Sequence, residues 1–108
     1  MRAQLLIDGK WADGAEGDTL EVTNPATGAH IATVAAGSAA DAVRAVEAAT
    51  IAQKKWAATP PRQRAEILRA CWSTLMDHQE ELAQLITSEH GKPLSDARGE
   101  VAYAAEFF

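Results

Sequence analysis

The chain is 108 residues long, the size of one small domain, and it carries ten Lys and Arg against fifteen Asp and Glu, for a net charge of −5. An acidic surface repels phosphate backbones, and no segment is dense in Lys and Arg, so we expect neither nucleic-acid nor membrane-surface binding. A single Cys excludes an internal disulfide. The sequence has no membrane-spanning stretch and no signal peptide, so the cytoplasm is the expected compartment.

Alanine dominates the apolar residues. The chain has 24 Ala, whereas Leu, Ile, Val and Phe together number 20. Alanine lets helices and strands approach closely but buries little area, so the predicted core is thin. A core of this kind leaves a chain of this size close to zero net stability. The composition therefore indicates part of a larger protein.

Residues 1–37 predict two β-hairpins. The four strands are Leu5–Ile7, Lys10–Trp11, Leu20–Thr23 and His30–Val34. Between the first two, Asp8-Gly9 supplies the positive φ angles that a two-residue type I′ turn requires. Between the second two, the loop Asn24–Gly28 begins with Asn-Pro and closes with a glycine, as turns commonly do.

Residues 38–108 predict about four helices, so the local fold class is α+β. Ser38 is the expected N-cap of the first helix, with Asp41 in a first turn that favours negative charge. Thr59-Pro60-Pro61 ends this helix and opens the second, because proline is tolerated at a first helical position. Both helices carry a stripe at 3–4 spacing. The stripes are Ala42, Val43, Val46, Ala49, Gln53 and Trp56, then Ile67, Leu68, Cys71, Trp72, Leu75 and Met76.

The third helix has signals at both ends. Asp77 and Glu80 fit a capping box at its start. Gly91 is the expected C-cap, and Pro93 prevents the helix from continuing. The apolar face between them holds Leu82, Leu85 and Ile86.

The fourth helix, which Ser95 is expected to open, has two apolar faces. The first comprises Ala97, Val101, Ala104, Ala105 and Phe108, and the second comprises Tyr103 and Phe107. A helix that is apolar on two faces expects neighbours on both sides. We therefore interpret residues 1–108 as an incomplete domain whose missing neighbours belong to further sequence.

The residues that could carry chemistry are scattered. Cys71, the one possible thiol nucleophile, lies on the stripe of the second helix with no His or Asn nearby, so we predict that it packs in the core. His30, His78 and His90 show no i, i+4 pair and no metal-ligand spacing, which favours structural or surface roles.

Three further motifs have structural interpretations. Glu80-Glu81 lies at a helix start, where negative charge is favourable. Gly14 and Gly17 have part of the spacing of a dinucleotide-binding loop, but no strand leads in and no helix follows directly. Lys92 follows a helix-ending glycine and can interact with the last carbonyls. We therefore assign no catalytic, no cofactor-binding and no metal-binding residue.

Taken in series, the motifs of this chain resemble the amino-terminal segment of the aldehyde dehydrogenase superfamily. They are Ile7-Asp8-Gly9-Lys10-Trp11, Asn24-Pro25-Ala26-Thr27-Gly28, Trp56, Arg64, Glu89-His90-Gly91-Lys92-Pro93 and Glu100. Each motif alone is weak, but together they follow the family's order and spacing over essentially the whole chain. The amino-acid sequence from Gly91 to Phe108 is most similar to that of the succinate-semialdehyde dehydrogenase branch.

The resemblance implies part of an α/β dehydrogenase that oxidises an aldehyde to the acid with NAD or NADP, with succinate semialdehyde as the candidate substrate. The family's Cys nucleophile, Glu base, oxyanion Asn and cofactor contacts would all lie beyond residue 108. We therefore predict that the chain alone is inactive and binds no cofactor. The expected partner is the rest of the dehydrogenase chain, within a homo-oligomer.

By resemblance alone, three positions acquire further expectations. The turn Asn24–Gly28 and Glu89 fall where some members hold a structural cation, although a single carboxylate is a poor site. Ser95–Gly99 falls near the family's substrate entrance. His90 stands where Asn or Thr is more usual.

A second hypothesis belongs to a different class. The chain could be a standalone helical interaction module whose fourth helix docks a partner through its second apolar face. This hypothesis predicts a well-folded monomer or a defined dimer, whereas an incomplete domain predicts aggregation or a weak, non-cooperative thermal melt.

Overall fold

The computed structural model describes residues 3–108 and contains four strands followed by four helices. The elements are β1 (Leu5–Ile7), β2 (Lys10–Ala12), β3 (Thr19–Thr23), β4 (His30–Ala35), α1 (Ala39–Ala58), α2 (Pro61–Asp77), α3 (Gln79–His90) and α4 (Leu94–Ala105). The strands form two separate pairs, β1–β2 and β3–β4. The predicted α+β class, with hairpins first and helices after residue 37, is confirmed.

The residues divide into two compact units. The first contains β1, β2, β4, most of β3, and α1. The second contains α2, α3 and α4 together with the loop Thr23–Ala29. The chain thus returns to the first unit after contributing one loop to the second.

The first hairpin has the predicted two-residue turn. β1 and β2 run antiparallel, with Leu5 opposite Ala12 and Ile7 opposite Lys10. Asp8 and Gly9 both have positive φ, at 53° and 69°. Type I′ turns require this conformation at both positions, because its twist matches that of the flanking strands.

The loop of the second hairpin is organised by Asn24. Its side-chain Oδ1 accepts hydrogen bonds from the backbone N–H of Ala26, at 2.9 Å, and of Thr27, at 3.2 Å. Its backbone carbonyl accepts from the N–H of Gly28, whose φ is 71°. The loop is one residue longer than the predicted five, because β4 begins at His30 and leaves Ala29 in the loop. The carbonyl of Ala29 accepts a hydrogen bond from the backbone N–H of Asn24, which closes the loop.

The boundaries of α1 and α2 follow the sequence signals. Ser38 precedes α1 and accepts a hydrogen bond from the backbone N–H of Asp41 through its hydroxyl oxygen. Pro60 is the N-cap of α2, and Pro61 is its first residue. The predicted stripes of these two helices are not buried in a core. Val46 on α1 is 66% exposed, and none of the side chains of α2 is buried.

The predicted capping box between α2 and α3 is wrong. Asp77 is the last residue of α2, and His78 is the N-cap of α3 without a side-chain capping hydrogen bond. The backbone of His78 joins the helices instead: its N–H donates to Thr74 and its carbonyl accepts from Leu82. The carboxylate of Glu80, the second residue of the predicted capping box, binds Arg98 on α4 instead.

The end of α3 and the start of α4 show one success and one error. Gly91 is the C-cap of α3 in the left-handed conformation, with φ 74°, as predicted. The expectation that Ser95 opens α4 is off by one residue, because the helix begins at Leu94. The carbonyl of Pro93 accepts hydrogen bonds from Asp96 and Ala97, which closes the first turn before Ser95 can act as a cap.

The buried core lies between α3 and α4 and is small. Its buried members are Ala83, Ala97 and Val101, against which Leu82, Ile86 and Leu94 pack. Ala105 is also buried on α4. Among the described residues, no buried hydrophobic side chain is larger than valine. The thin core expected from the alanine content is therefore observed.

Candidate functional site

Cys71, the only thiol, lies half-buried on α2. Its expected place in a core is not fully realised, because α2 has no buried residue. The stripe that carries Cys71 is partly open to solvent, with Ile67 and Leu68 both exposed. The thiol of Cys71 therefore lies on a partly exposed helix face, which is consistent with a packing role.

The three histidines lie far apart in the sequence, and the side chains of His30 and His78 make local contacts. His30 Nε2 lies 2.7 Å from the carboxylate of Glu21 and 3.1 Å from the hydroxyl of Thr33, all on the surface of the second hairpin. His78 Nδ1 lies 2.9 Å from the carbonyl of Thr74. Across residues 3–108, His, Cys, Asp and Glu side chains form no group of three or more that could hold a metal ion.

Glu80 binds a guanidinium that the sequence did not reveal. Arg98 on α4 donates to both carboxylate oxygens of Glu80, at 2.8 Å and 3.0 Å. These hydrogen bonds lower the pKa of the Glu80 carboxyl below its ordinary value and raise that of Arg98. Gln79 adds a hydrogen bond to the carbonyl of Arg98. Together these contacts fix the start of α3 to α4.

Lys92 forms an ion pair with Glu100 on the second turn of α4. The sequence predicted contacts to helix-terminal carbonyls, whereas the ammonium reaches forward across the loop to a carboxylate. The hydrogen bond from Lys92 lowers the pKa of Glu100 below its ordinary value. Lys92 and Arg98 thus join α3 to α4 at opposite ends of α3.

Asp41 is the one buried charged residue of the described chain, at 3% exposure. Its carboxylate accepts from the backbone N–H of Ala15 at 3.0 Å, and from the N–H and hydroxyl of Ser38 at 3.0 Å and 2.8 Å. Arg44 donates to the other oxygen at 2.8 Å. These contacts, led by the N–H of Ala15, hold the pKa of Asp41 below its ordinary value.

Gly14 and Gly17 form the turn that presents Ala15 to this carboxylate. The N–H of Gly17 donates to the carbonyl of Gly14 at 2.9 Å, and Gly17 has a φ of 73°. A Cβ at Gly14 would lie 2.4 Å from the carbonyl oxygen of Ala36, so only glycine fits. The turn directs a backbone N–H at a protein carboxylate, whereas a dinucleotide-binding loop directs its N–H groups at phosphate.

Aromatic side chains form an exposed patch at the end of α4. The rings of Tyr103 and Phe107 pack edge to face, with centroids 5.1 Å apart and planes at 89°. Elsewhere in the second unit, an open groove is lined by Leu68, Trp72 and Phe108. The indole N–H of Trp72 donates to Glu106 at 3.2 Å, which uses the one carboxylate at this end of the helix.

A family model described as "Aldehyde dehydrogenase family" matches residues 11–108. The chain belongs to the aldehyde dehydrogenase family. The resemblance read from the motifs is therefore confirmed.

Relatives within the aldehyde dehydrogenase family include two semialdehyde dehydrogenases. The chain is 45% identical to glutarate-semialdehyde dehydrogenase of Pseudomonas putida over 98% of its own length, and 43% identical to succinate-semialdehyde dehydrogenase [NADP(+)] GabD of Escherichia coli over the same share. The solved structure of PnpE in complex with nicotinamide adenine dinucleotide is similar to this chain with a TM-score of 0.91, at 38% identity over 97% of the chain.

The chain spans only about 22% of the length of each of these aldehyde dehydrogenases. The NADP named for the E. coli relative and the NAD bound in PnpE agree with the cofactors that the resemblance implied. Within residues 3–108, no helix is both long enough and apolar enough to cross a membrane.

Proposed function

We propose that this chain is the amino-terminal segment of an NAD(P)-dependent aldehyde dehydrogenase and that it serves the enzyme as a structural segment. The family match over residues 11–108 carries the proposal. The coverage of about 22% of each relative supports the incomplete-domain interpretation, because most of the relatives' length has no counterpart here. The proposed partner is the remainder of the dehydrogenase chain, in a cytoplasmic homo-oligomer.

The proposed substrate is an aldehyde that also carries a carboxylate, with succinate semialdehyde as the first candidate and glutarate semialdehyde as the second. The support comes from the names of the two semialdehyde dehydrogenases that are similar to this chain. Both aldehydes are therefore substrates for the assay of the intact enzyme.

We further propose that the chain supplies no catalytic, cofactor-binding or metal-binding residue. Its one thiol lies on the half-exposed stripe of α2. The one buried carboxylate among residues 3–108, on Asp41, is bound by Ala15, Ser38 and Arg44. A nucleophile needs a nearby base or a cationic environment that stabilises the thiolate. No side-chain hydrogen bond or ion pair of this kind involves Cys71 among the described contacts.

The experiment is an assay of NAD and NADP reduction by the intact enzyme that contains this segment. We expect turnover with succinate or glutarate semialdehyde, and a kcat/KM for these at least about tenfold above that for an uncharged aldehyde of equal length, since one ionic contact contributes on this order. Cys71→Ala in the intact enzyme is expected to leave kcat/KM within about twofold. A loss of turnover in a folded Cys71→Ala enzyme would assign catalysis to this segment and contradict the proposal.

A further inference from the structure

The dipeptide Asp-Gly occurs twice in the first unit of the chain. Asp8-Gly9 forms the turn of the first hairpin, and Asp13-Gly14 directly follows β2. In this dipeptide the backbone nitrogen of the glycine can attack the side-chain carboxyl of the aspartate, because glycine has no Cβ to hinder the approach. The sequence alone gives the two pairs the same reactivity, so any difference between them must come from the fold.

The reaction rearranges the main chain without changing its composition. The glycine nitrogen forms a bond to Cγ of the aspartate, the amide proton and the carboxyl hydroxyl leave as water, and a succinimide ring results. Water then adds to a carbonyl carbon of the ring and breaks its bond to nitrogen. When that carbon is the original main-chain carbonyl, the peptide afterwards runs through Cβ and Cγ, as isoaspartate. The reaction needs neither an oxidant nor a second substrate.

The turn at Asp8-Gly9 leaves room for this ring to close. Both residues are exposed. Closure rotates the peptide group between them and therefore moves the Cα of Gly9. Among the described residues, no heavy atom beyond the two chain neighbours lies within 4 Å of a Cβ built on Gly9. The resistance to closure therefore comes from the hairpin itself, through the pairing of Ile7 with Lys10 at the ends of the turn.

The same movement is blocked at Asp13-Gly14. Gly14 is buried, and a Cβ built on it would overlap the carbonyl oxygen of Ala36. The carbonyl of Gly14 accepts a hydrogen bond from the N–H of Gly17 at 2.9 Å. The carboxylate of Asp13 accepts another from the side-chain amide of Gln4 at 3.1 Å. Ring closure here would have to displace a packed backbone and break both hydrogen bonds.

We propose that Asp8 is a site of isoaspartate formation in the folded protein and that Asp13 is protected from it. This inference goes beyond the proposed function, because it concerns the covalent chemistry of the main chain and not the oxidation of an aldehyde. Isoaspartate inserts a methylene carbon into the main chain of the turn. A two-residue type I′ turn does not accommodate the added atom, so the pairing of β1 with β2 should loosen.

The test incubates the intact protein that contains this segment in mildly acidic buffer, because a protonated carboxyl group loses water more readily than a carboxylate. An isoaspartyl carboxyl methyltransferase with labelled S-adenosylmethionine counts the new α-carboxylates, and peptide mapping assigns them to Asp8 or Asp13. A parallel sample in urea removes the fold and reports the intrinsic reactivity of both pairs. The readout is covalent structure, so it does not depend on dehydrogenase activity.

We expect isoaspartate at Asp8 to exceed that at Asp13 at least about tenfold in the folded protein, because only Asp13 must displace packed backbone before the ring closes. In urea the two sites should differ by less than about threefold, since neither retains its packing. The comparison of the two samples separates the effect of the fold from that of the neighbouring sequence.

Matched variants sharpen the comparison. Asp8→Asn and Asp13→Asn form the same ring with loss of ammonia instead of water, and Asn-Gly suits a type I′ turn as well as Asp-Gly does. In the folded protein only Asp8→Asn should release ammonia from its site. Asp8→Glu keeps the carboxylate, but its longer side chain closes a larger ring less readily, so isoaspartate should disappear from the mapped turn.

Two outcomes overturn the proposal. Equal amounts of isoaspartate at the two sites of the folded protein would show that the packing of Gly14 does not control the reaction. Absence of isoaspartate at Asp8 in the folded protein would show that the turn is held too firmly to react. Amide hydrogen exchange is an independent check, since β1 and β2 should exchange faster in the isomerised fraction than in the unmodified one. Equal exchange in both fractions would contradict the loosened pairing.

Discussion

The carboxylate of Asp41 accepts hydrogen bonds from the backbone N–H of Ala15, at 3.0 Å for one oxygen and 3.3 Å for the other. The two residues are 26 positions apart, so the contact ties the turn at Gly14–Gly17 to the first turn of α1. The same carboxylate completes the cap of that helix through Ser38. One side chain thereby fixes both a helix start and a loop in the first unit.

Removal of this carboxylate should destabilise the first unit more than removal of the helix cap alone. Ser38→Ala loses an N-cap hydroxyl, for which about 1 kcal/mol is typical. Asp41→Ala loses the remaining half of the cap together with the Ala15 contact, and it leaves Arg44 without its acceptor, so its unfolding midpoint in urea should be lower still. Asp77→Ala, at an exposed position, is the control. Equal midpoints for Asp41→Ala and Asp77→Ala would show that the Ala15 contact does not stabilise the fold.

Two glycine substitutions should act in opposite directions. Gly14→Ala places a Cβ against the Ala36 carbonyl, and the displacement should cost about 1–3 kcal/mol. Gly99→Ala places a Cβ in open space inside α4, where alanine favours the helix by about 0.5–1 kcal/mol. Urea unfolding of the two variants measures both effects. A Gly14→Ala chain as stable as the wild type would contradict the close approach of residues 14 and 36.

The free energy of unfolding should decrease as the pH is lowered through the range in which carboxyl groups titrate. The pKa values of Asp41, Glu80 and Glu100 are all lowered in the folded chain. A depressed folded pKa means that the unfolded chain binds more protons, so the stabilisation is present above the ordinary carboxyl pKa and is lost as pH falls below it. Urea midpoints measured from about pH 7 to about pH 3 should therefore decrease, and Glu80→Gln should reduce the decrease. A midpoint independent of pH over this range would contradict the three assigned shifts.

The ion pair between Lys92 and Glu100 should be visible in the titration of a single carboxyl group. Lys92→Met removes the hydrogen bond that lowers the pKa of Glu100, so that pKa should rise toward its ordinary value. Carbon NMR of the Glu100 side chain measures it directly. Arg62→Met breaks a solvent-exposed pair with Glu66 on α2 and should leave the Glu100 titration unchanged. An unchanged titration in Lys92→Met would show that the pair does not form in solution.

The predictions that succeeded depend on local backbone geometry. Asp8-Gly9 specifies a two-residue hairpin because few residues adopt two successive positive φ angles. Gly91 and Pro93 end α3 for a similarly local reason. Ser38 caps α1 through a residue three positions away. The sequence within a few positions contains all the information that these features require.

The predictions that failed depend on partners distant in sequence. Glu80 had the spacing of a capping box with Asp77, but Arg98, eighteen residues later, offers two charged hydrogen bonds in place of one backbone contact. The hydrogen bond from the Ala15 N–H to Asp41 was not predicted either, because the two residues are 26 positions apart. The spacing correctly placed Ala97, Val101 and Ala105 on one side of α4, because helical periodicity reports which residues share a side. Ala104 and Phe108 were predicted on that same side, and both are exposed. Periodicity does not report whether a side is covered.

We propose that this chain is a segment of an aldehyde dehydrogenase and that it supplies none of the residues that carry out the enzyme's chemistry. The most direct measurement is an assay of the isolated 108-residue chain for NAD and NADP reduction with succinate semialdehyde and glutarate semialdehyde. We expect no reduction above the rate in buffer, alongside turnover by the intact enzyme in the same assay. Reduction that scales with the concentration of the isolated chain and disappears in Cys71→Ala would contradict the claim.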